Sequence, residues 1–399
     1  MTGNDPQTSP YSKKTLTLRV DHSRLELLVA HDLFSSQVVD AGSRLLLRSL
    51  MEESPPARIL DLGSGYGPLG LGLKAKFPNA RLDMIDRDAL AVQFASLNAA
   101  ANNMRGVLVY GSLGYDEIKS GRAFDLIVSN IPGKAGSGVT QELLTGAAHF
   151  LAPKGKCAIV VVASLAEQVE DTLDRAGADV LHRHGNKSHA VFHYTVDPPA
   201  ERAPSTSFDR GVYDRTQVLL SRAGVAWEAT TTWGLPEFNS LSFQTELVID
   251  VLVNAQLKGP RTLVINPGQG HVPVAIAVQC SPPAISLAGR DLLALRTSAA
   301  NLGRNGFHGN NLDWHHRPDL DNVDGRFDLV VAALPAKLPP AVTLDLVRDC
   351  ADKTVEGGTL ILGGRSTTVT RALESSDLGG LALKERSRTH GFSAARLRK

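Results

Sequence analysis

The stretch Asp61-Leu62-Gly63-Ser64-Gly65-Tyr66-Gly67-Pro68 decides the fold of this chain. The strand-like run 58–62 leads directly into its glycines, and the helix-like segment 69–77 follows them, so the stretch predicts a glycine-rich turn from a β-strand into an α-helix. Glycine lets the backbone approach a ligand at the helix start, because a side chain there would fill the ligand's space. The stretch therefore indicates a ligand-binding turn of an α/β domain.

A second copy of this stretch lies in the C-terminal half of the chain. It reads Asn266-Pro267-Gly268-Gln269-Gly270-His271-Val272-Pro273, and matching Gly63 to Gly268 gives an offset of 205 residues. Beyond the glycines the offset is 203, which matches the run 124–128 to 327–331. Similarity of this length at nearly constant spacing predicts two copies of one fold.

Two polar side chains distinguish the copies. At the offset of 203 residues, Asp86 aligns with Gly289 and Asn130 aligns with Ala333. The second copy keeps the strand and helix signals but lacks atoms that would hold a ligand. We therefore expect the chemistry in the N-terminal half and a degenerate C-terminal copy.

The order of elements predicts an α/β class with a mostly parallel sheet in each copy. In the first copy, strand-like runs alternate with helix-like segments, which is typical of βαβ units; the runs are 58–62, 81–85, 107–110, 125–129 and 156–163. The segments 177–183 and 190–196 flank the turn-like Gly185-Asn186-Lys187, which predicts an antiparallel hairpin closing the sheet. The fold expected is thus two tandem Rossmann-like domains.

The length of 399 residues fits two domains of ordinary size. A polar start and a proline-rich stretch near the middle mark a tail and a linker. We divide the chain into a flexible tail, a first domain, a linker and a second domain, at residues 1–14, 15–197, 198–206 and 207–399.

Charge and composition limit the class of protein. The 42 Lys and Arg residues nearly balance the 41 Asp and Glu residues, so a polyanion partner would need a local basic patch. We expect a cytoplasmic protein without membrane contact, because the chain has neither an apolar run of membrane-spanning length nor a secretory signal. We expect no metal site, since the histidines lack helical ligand spacing and three cysteines lie far apart, at Cys157, Cys280 and Cys350.

Three polar side chains of the first copy suit a nucleotide cofactor and a methyl acceptor. Asp86 ends the strand after the glycines, where a carboxylate can accept hydrogen bonds from both ribose hydroxyls. Asp61 precedes the glycines and suits a ligand ammonium. Asn130 ends a later strand, where its amide and neighbouring carbonyls can orient an exocyclic amine toward an electrophilic methyl group.

At these residues the chain resembles class I S-adenosylmethionine-dependent methyltransferases, and among them the tandem-domain small-subunit ribosomal RNA guanine-N2 methyltransferases. The resemblance begins upstream of the glycines, in the stretch 33–47, and continues through 61–70 and 124–136. It implies S-adenosylmethionine as the cofactor, held by Asp61, Gly63, Gly65, Gly67, Asp86, Ser112, Leu113 and Asn130, with Ser112 and Leu113 near its adenine.

The same resemblance implies roles on the acceptor side, with Asn130 and Pro132 as catalytic residues and with Phe34 and Lys134 as substrate contacts. The family motif is Asn-Pro-Pro followed by an aromatic residue. Here Ile131 replaces the first proline and Gly133 replaces the aromatic residue that would stack on a base. Lys134 would compensate by reaching a phosphate. A second departure is that the intact copy is N-terminal here, whereas it is C-terminal in the best-known guanine-N2 enzymes.

The leading hypothesis is an S-adenosylmethionine-dependent N-methyltransferase that acts on an exocyclic amine of an RNA base. The expected acceptor is guanine N2 in ribosomal RNA. Two alternatives stay open: a methyltransferase for a protein amide or a small molecule, and a non-catalytic binding module with a cofactor-like pocket. The sequence leaves the oligomeric state open.

Overall fold

The computed structural model of the chain describes residues 9–198, 205–308, 311–374, 378 and 380–399. The chain divides into two compact units; the first ends at Tyr213 and the second begins at Asp214. Each unit contains one antiparallel hairpin and one seven-stranded sheet with helices. The predicted α/β class with two tandem copies is confirmed.

The first unit contains nine strands and five α-helices in its described residues. In chain order they are β1 (Ser12–Val20), β2 (Ser23–Ala30), α1 (Ala41–Ser49), β3 (Arg58–Leu62), α2 (Pro68–Lys76), β4 (Arg81–Asp86), α3 (Ala89–Ala101), β5 (Val107–Gly111), β6 (Phe124–Asn130), α4 (Ser137–Thr145), β7 (Leu151–Val162), α5 (Ala166–Arg175), β8 (Asp179–Gly185) and β9 (His189–Thr195). The hairpin is β1–β2, and the sheet order is β5-β4-β3-β6-β7-β9-β8.

The second unit repeats this order of elements. It contains β10 (Asp214–Arg222), β11 (Val225–Thr232), α6 (Phe243–Ala255), β12 (Thr262–Ile265), α7 (His271–Cys280), β13 (Ile285–Gly289), α8 (Leu292–Arg304), β14 (Leu312–His316), β15 (Phe327–Ala333), α9 (Pro340–Lys353), β16 (Thr354–Arg365), α10 (Ser366–Glu374), β17 (Ala382–Thr389) and β18 (Phe392–Arg398). Its sheet order is β14-β13-β12-β15-β16-β18-β17.

The five predicted strand runs of the first copy correspond to β3 through β7. These strands pair in parallel, whereas β9 is antiparallel to both β7 and β8, as predicted for a closing hairpin. The central strands are rich in buried apolar residues, as expected where helices cover both faces of a parallel sheet; Ile59, Leu60, Leu82 and Val128 are fully buried. No described helix is long and apolar enough to cross a membrane.

Two domain boundaries differ from the prediction. Strand β1 begins at Ser12, so the last residues of the predicted tail 1–14 belong to a strand, and residues 1–8 lie outside the described part of the chain. The second unit begins at Asp214 rather than at residue 207. The physical reason is that the backbone N–H groups of Ser207 and Phe208 donate to the carboxylate of Asp116, at 2.8 and 3.2 Å. Of the predicted linker 198–206, residues 199–204 are not described.

The two glycine turns match at an offset of 203 residues rather than 205. Gly67 and Gly270 are the left-handed residues that precede α2 and α7, with φ of 90° and 89°. A buried asparagine fixes the same register in both copies, because Asn98 donates to the carbonyl of Tyr66 and Asn301 donates to that of Gln269, at 2.9 and 2.8 Å.

This register changes the interpretation of the second copy. Gly67 has a counterpart in Gly270, so the matching of Gly67 to Val272 was wrong. The altered positions are instead Val264, which stands where the first copy has Asp61, and Asn266, which stands where it has Gly63. The sequence signal misled because the short G-x-G pattern fits equally well when it slides by two residues.

Candidate functional site

The predicted site residues meet at the carboxyl edge of the first sheet. Strands β3 and β6 are neighbours, but the chain runs outward from β3 to β4 and β5 before it returns to β6. This reversal is a topological switch point, and open α/β sheets bind ligands in the crevice that it creates. Asp86 ends β4 and Asn130 ends β6 on this edge.

The glycine turn leaves open space beside its first two glycines. Gly63 and Gly65 have φ of 75° and 56°, a region that residues with side chains rarely adopt. A Cβ atom added at either position would meet no atom within 4 Å. The turn is held by the N–H groups of Gly63 and Ser64, which donate to the carbonyl of Ile85 at 2.9 and 3.0 Å. A ligand can therefore lie directly against this backbone.

The carboxylate of Asp86 is held rigidly beside the turn. Its two oxygens accept from the N–H groups of Gly65 and Asp88, at 2.8 and 2.9 Å. Each carboxylate oxygen keeps a second lone pair for a ligand hydroxyl. Burial raises the pKa of Asp86 to about 6, although these two hydrogen bonds oppose the shift.

Asp61 is a second buried carboxylate on β3. It is 1% exposed and accepts a hydrogen bond from the N–H of Gly70 at 2.8 Å. Position 70 must be glycine, because a Cβ atom there would lie 2.8 Å from the same oxygen. Burial, helped by the charge of Asp86, raises the pKa of Asp61 to about 7, although the hydrogen bond from Gly70 opposes the shift. Two carboxylates with raised pKa values favour a ligand that brings positive charge.

Ser112 and Leu113 lie in the turn after β5, next to Asp86. The Ser112 N–H donates to the carbonyl of Asp86 at 2.9 Å. Both residues are buried, and both donate to the carboxylate of Glu117, through the Ser112 hydroxyl at 3.0 Å and the Leu113 N–H at 2.7 Å. Glu117 therefore shapes this part of the site, a role that the sequence did not indicate.

Asn130 is oriented by Asp40, which the sequence analysis did not assign to the site. The Asn130 amide donates to the Asp40 carboxylate at 2.8 Å and to the Ser43 hydroxyl at 3.1 Å. Asp40 also caps α1, accepting from the N–H of Ser43 at 3.0 Å. Because both amide hydrogens are engaged, the amide oxygen of Asn130 is the atom left to accept. An aspartate just before a helix-like segment is a capping signal, and this signal was the available clue.

The loop after Asn130 explains the departures from the family motif. The N–H of Ile131 donates to the carbonyl of Val160 at 3.0 Å, a bond that a proline could not make. Pro132, Gly133 and Lys134 are exposed. A Cβ atom at Gly133 would lie 3.6 Å from the side chain of Val162, an ordinary contact. The loop can therefore accept a side chain at this position.

Phe34 lies in the loop between β2 and α1. It is 73% exposed, an unusual state for a large apolar side chain. The next residue, Ser35, accepts a hydrogen bond from the hydroxyl of the buried Tyr66 at 3.4 Å. The loop ends at Asp40, which holds Asn130. Phe34 is thus carried by a segment anchored to both the glycine turn and the Asn130 amide.

The second unit lacks this arrangement. Asn266 stands at the position of Gly63, and its amide donates to the carbonyl of Ala333 at 3.0 Å, which bridges the ends of β12 and β15. Gly289 leaves no carboxylate at the end of β13. The side chain of Asn266 lies 3.5 Å from a Cβ atom built on Gly289, so it occupies space that is open in the first unit.

Comparison with known proteins identifies a family match within the first unit and relatives of part of the chain. Residues 24–191 match the family described as the methyltransferase small domain. The chain is 32% identical to the uncharacterized protein YbxB of Bacillus subtilis over 168 residues, 41% of this chain and 84% of that protein. It is 36% identical to ribosomal RNA small subunit methyltransferase C of Haemophilus influenzae over 151 residues, 36% of this chain and 44% of that protein.

A solved structure resembles the whole chain. The 16S rRNA N2 G1207 methyltransferase (RsmC) of T. thermophilus, in complex with AdoMet and guanosine, has a TM-score of 0.67 and 18% sequence identity. The similarity covers 97% of this chain and 98% of that chain. At this identity the comparison shows a shared tandem fold.

Proposed function

This chain belongs to the methyltransferase small domain family of class I S-adenosylmethionine-dependent methyltransferases, and we propose that it methylates an exocyclic amine of an RNA base. The expected acceptor is guanine N2 in ribosomal RNA. The observation that carries this proposal is the Asn130 amide, whose hydrogens are both engaged by α1 at the switch point of the sheet. The names of the relatives and the shared tandem fold support RNA as the acceptor.

The residues present fit S-adenosylmethionine. Its sulfonium supplies an electrophilic methyl group. The open backbone at Gly63 and Gly65 provides the space, and Asp86 would accept from the ribose hydroxyls. Asp61 would stabilise the ligand ammonium, since a buried carboxylate gains most from a paired charge. Ser112 and Leu113 would line the adenine.

Asn130 and Pro132 would position the acceptor amine. The amide oxygen of Asn130 and the carbonyl of Pro132 accept the two amine hydrogens, which aims the nitrogen lone pair at the methyl carbon. The Pro132 carbonyl accepts a long hydrogen bond from the N–H of Ala135, at 3.4 Å, and its second lone pair gives it further accepting capacity. The nitrogen would gain the methyl group as the bond between the methyl carbon and the sulfonium sulfur breaks, leaving a neutral thioether, and it would release one proton to solvent. Positioning therefore supplies most of the rate enhancement.

Phe34 and Lys134 would complete the contacts to the RNA. Position 133 has no aromatic ring, so the exposed Phe34 offers the available stacking surface near the acceptor side. Lys134 is exposed two residues after Pro132 and would neutralise a phosphate of the target strand.

Gly133 supports one competing acceptor. Without a ring beside Pro132, the loop leaves room for a protein amide or a small molecule that does not stack. Calorimetric titration with S-adenosylmethionine, followed by transfer of labelled methyl groups, separates these cases. We expect label in unmethylated small-subunit ribosomal RNA, released by nuclease as N2-methylguanine. Label in ribosomal protein would favour the amide acceptor, and no cofactor binding would favour the non-catalytic module.

A further inference from the structure

We propose that a basic groove of the first unit binds the phosphodiester backbone of the RNA substrate; this inference rests on the proposed function. The groove lies between the β1–β2 hairpin and α1 and has a volume of about 530 Å³. Four arginines line it, together with Asp21 and the apolar Leu47, and these arginines are Arg19, Arg24, Arg44 and Arg48.

The β1–β2 hairpin places two of these arginines side by side, which lowers the stability of the hairpin. Arg19 and Arg24 are direct partners across the antiparallel pair. Like charges at such positions destabilise a hairpin unless an anion lies near them. Both side chains are exposed, and the carboxylate of Glu26 contacts Arg24 at 2.8 Å. One carboxylate opposes two guanidinium groups, so the pair retains positive charge for a ligand.

The helix contributes the other two charges along one face. Arg44 and Arg48 are exposed and lie one turn apart on α1, which is about 6 Å along the axis. The same helix begins at Asp40, the residue that holds Asn130. The arginines therefore extend away from the acceptor side, as a track for the strand that flanks the methylated base would.

The acidic residue of the groove is already neutralised. Asp21 accepts from the ammonium of Lys76 at 2.7 Å. Guanidinium groups suit phosphate, because their planar donors form paired hydrogen bonds with its oxygens. A groove with four guanidinium groups and a compensated carboxylate selects a polyanion.

The second unit provides an internal comparison for this groove. Its hairpin has the same register, since the last pairs are Val20–Ser23 and Arg222–Val225, and its helix α6 is capped by Ser242 as α1 is by Asp40. The counterparts of Arg19, Arg24, Arg44 and Arg48 are Ser221, Ala226, Glu246 and Asp250.

All four positive charges are therefore absent from the degenerate copy. Its Arg222 bonds to Asp250 at 2.6 Å and contacts Glu246 at 3.3 Å, which ties its hairpin to its helix. The copy that keeps the cofactor residues also keeps a groove with an excess of positive charge. This association is expected if both features serve one substrate.

The test compares RNA binding by charge variants of the full chain. The double variant Arg19→Ser with Arg24→Ala takes the residues of the second copy, and Arg44→Gln with Arg48→Gln removes the helical charges. The control, Lys384→Ser with Arg388→Ala, removes two exposed charges from β17. The probe is a fluorescent single-stranded fragment of small-subunit ribosomal RNA, titrated by anisotropy between about 50 and 200 mM salt.

Each groove variant should weaken RNA binding about tenfold at the lower salt and reduce the slope of log K against log salt by about 1.4, for two lost phosphate contacts. The control should keep the wild-type slope, and all variants should keep wild-type affinity for S-adenosylmethionine. Unchanged slopes in both groove variants would show that the groove does not bind the RNA backbone, even if the wild-type protein methylates RNA. Reduced slopes without methyl transfer by the wild type would uphold the groove and reject the proposed function.

Discussion

The amide of Asn130 donates to the carboxylate of Asp40 over 2.8 Å, across 90 residues of chain. Asp40 caps α1 and Asn130 ends β6, so one carboxylate sets both the start of a helix and the orientation of the acceptor-side amide. A free asparagine amide can rotate by half a turn and present either donors or an acceptor. Here the carboxylate selects the orientation that leaves the amide oxygen as the acceptor, which the proposed contact with an amine requires.

Replacement of this amide should remove catalysis while sparing the cofactor. We expect Asn130→Ala to lower kcat by about 100-fold or more, as loss of one positioned hydrogen-bonding group does elsewhere. The dissociation constant for S-adenosylmethionine should stay within about threefold. Single-turnover transfer and calorimetry check the two values. Wild-type turnover by the variant would show that the loop is only a turn.

Asp40 should act as a positioning residue, and the second copy supplies its control. Asp40→Ala removes the cap of α1. Ser242→Ala removes the cap of α6, where the wild-type Ser242 hydroxyl accepts from the N–H of Thr245. Each should cost about 1 kcal/mol of unfolding free energy. Only Asp40→Ala should also reduce kcat, by about tenfold, because it frees the Asn130 amide. Equal kcat values in the two variants would show that Asp40 acts only as a helix cap.

Cofactor affinity should fall as the pH falls. The pKa values of Asp61 and Asp86 are raised to about 7 and about 6. The ionised carboxylate accepts hydrogen bonds from ribose hydroxyls more strongly than the neutral acid, and it alone forms an ion pair with an ammonium. Affinity measured by calorimetry should drop at least about tenfold from pH 7.5 to pH 5. The loss of affinity would not come from unfolding driven by these two groups. A carboxyl group whose pKa is raised on folding makes the folded state more stable at acid pH than at neutral pH. A flat profile would contradict the assignment, and Asp86→Ala should lose the step near pH 6.

The full chain should bind one molecule of S-adenosylmethionine. The second unit has Val264, Asn266 and Gly289 where the first has Asp61, Gly63 and Asp86, and the Asn266 amide closes the gap between β12 and β15. Calorimetric stoichiometry should be close to one per chain. A value of two would show that the degenerate copy also holds the cofactor, whereas binding at full affinity in Asp86→Ala would remove Asp86 from the site.

An aromatic ring at position 133 should improve use of an RNA base. The backbone φ of Gly133 lies outside the left-handed region, and an added Cβ atom would make only an ordinary contact with Val162. Stacking on a base contributes about 1–3 kcal/mol, so Gly133→Phe should lower the KM for RNA by about tenfold. Gly133→Ala serves as the control without a ring. An unchanged KM in the phenylalanine variant would favour an acceptor that does not stack.

Local signals in the sequence predict the α/β fold and those site residues that lie in the glycine turn or at the ends of strands. The run from Arg58 into Gly63 predicts a strand and a turn, because glycine is needed where φ is positive, and the structure places a strand and a left-handed turn there. Asp86 and Asn130 were found because they end strands, and parallel strands bring their carboxyl ends to one edge. The sequence analysis did not predict the hairpin β1–β2. Its strands alternate apolar with polar and charged residues, and the many charged residues obscure the strand pattern.

The sequence by itself determined the duplicated α/β fold, the ligand-binding turn and the loss of Asp86 and Asn130 from the second copy, because each depends on residue type at short spacing. Only the tertiary structure decided the register of the repeat, the Asp40–Asn130 bond and the convergence of Arg19 and Arg24 with Arg44 and Arg48. These features join residues that are distant along the chain, and their energies arise from packing and charge in space, which no local pattern encodes.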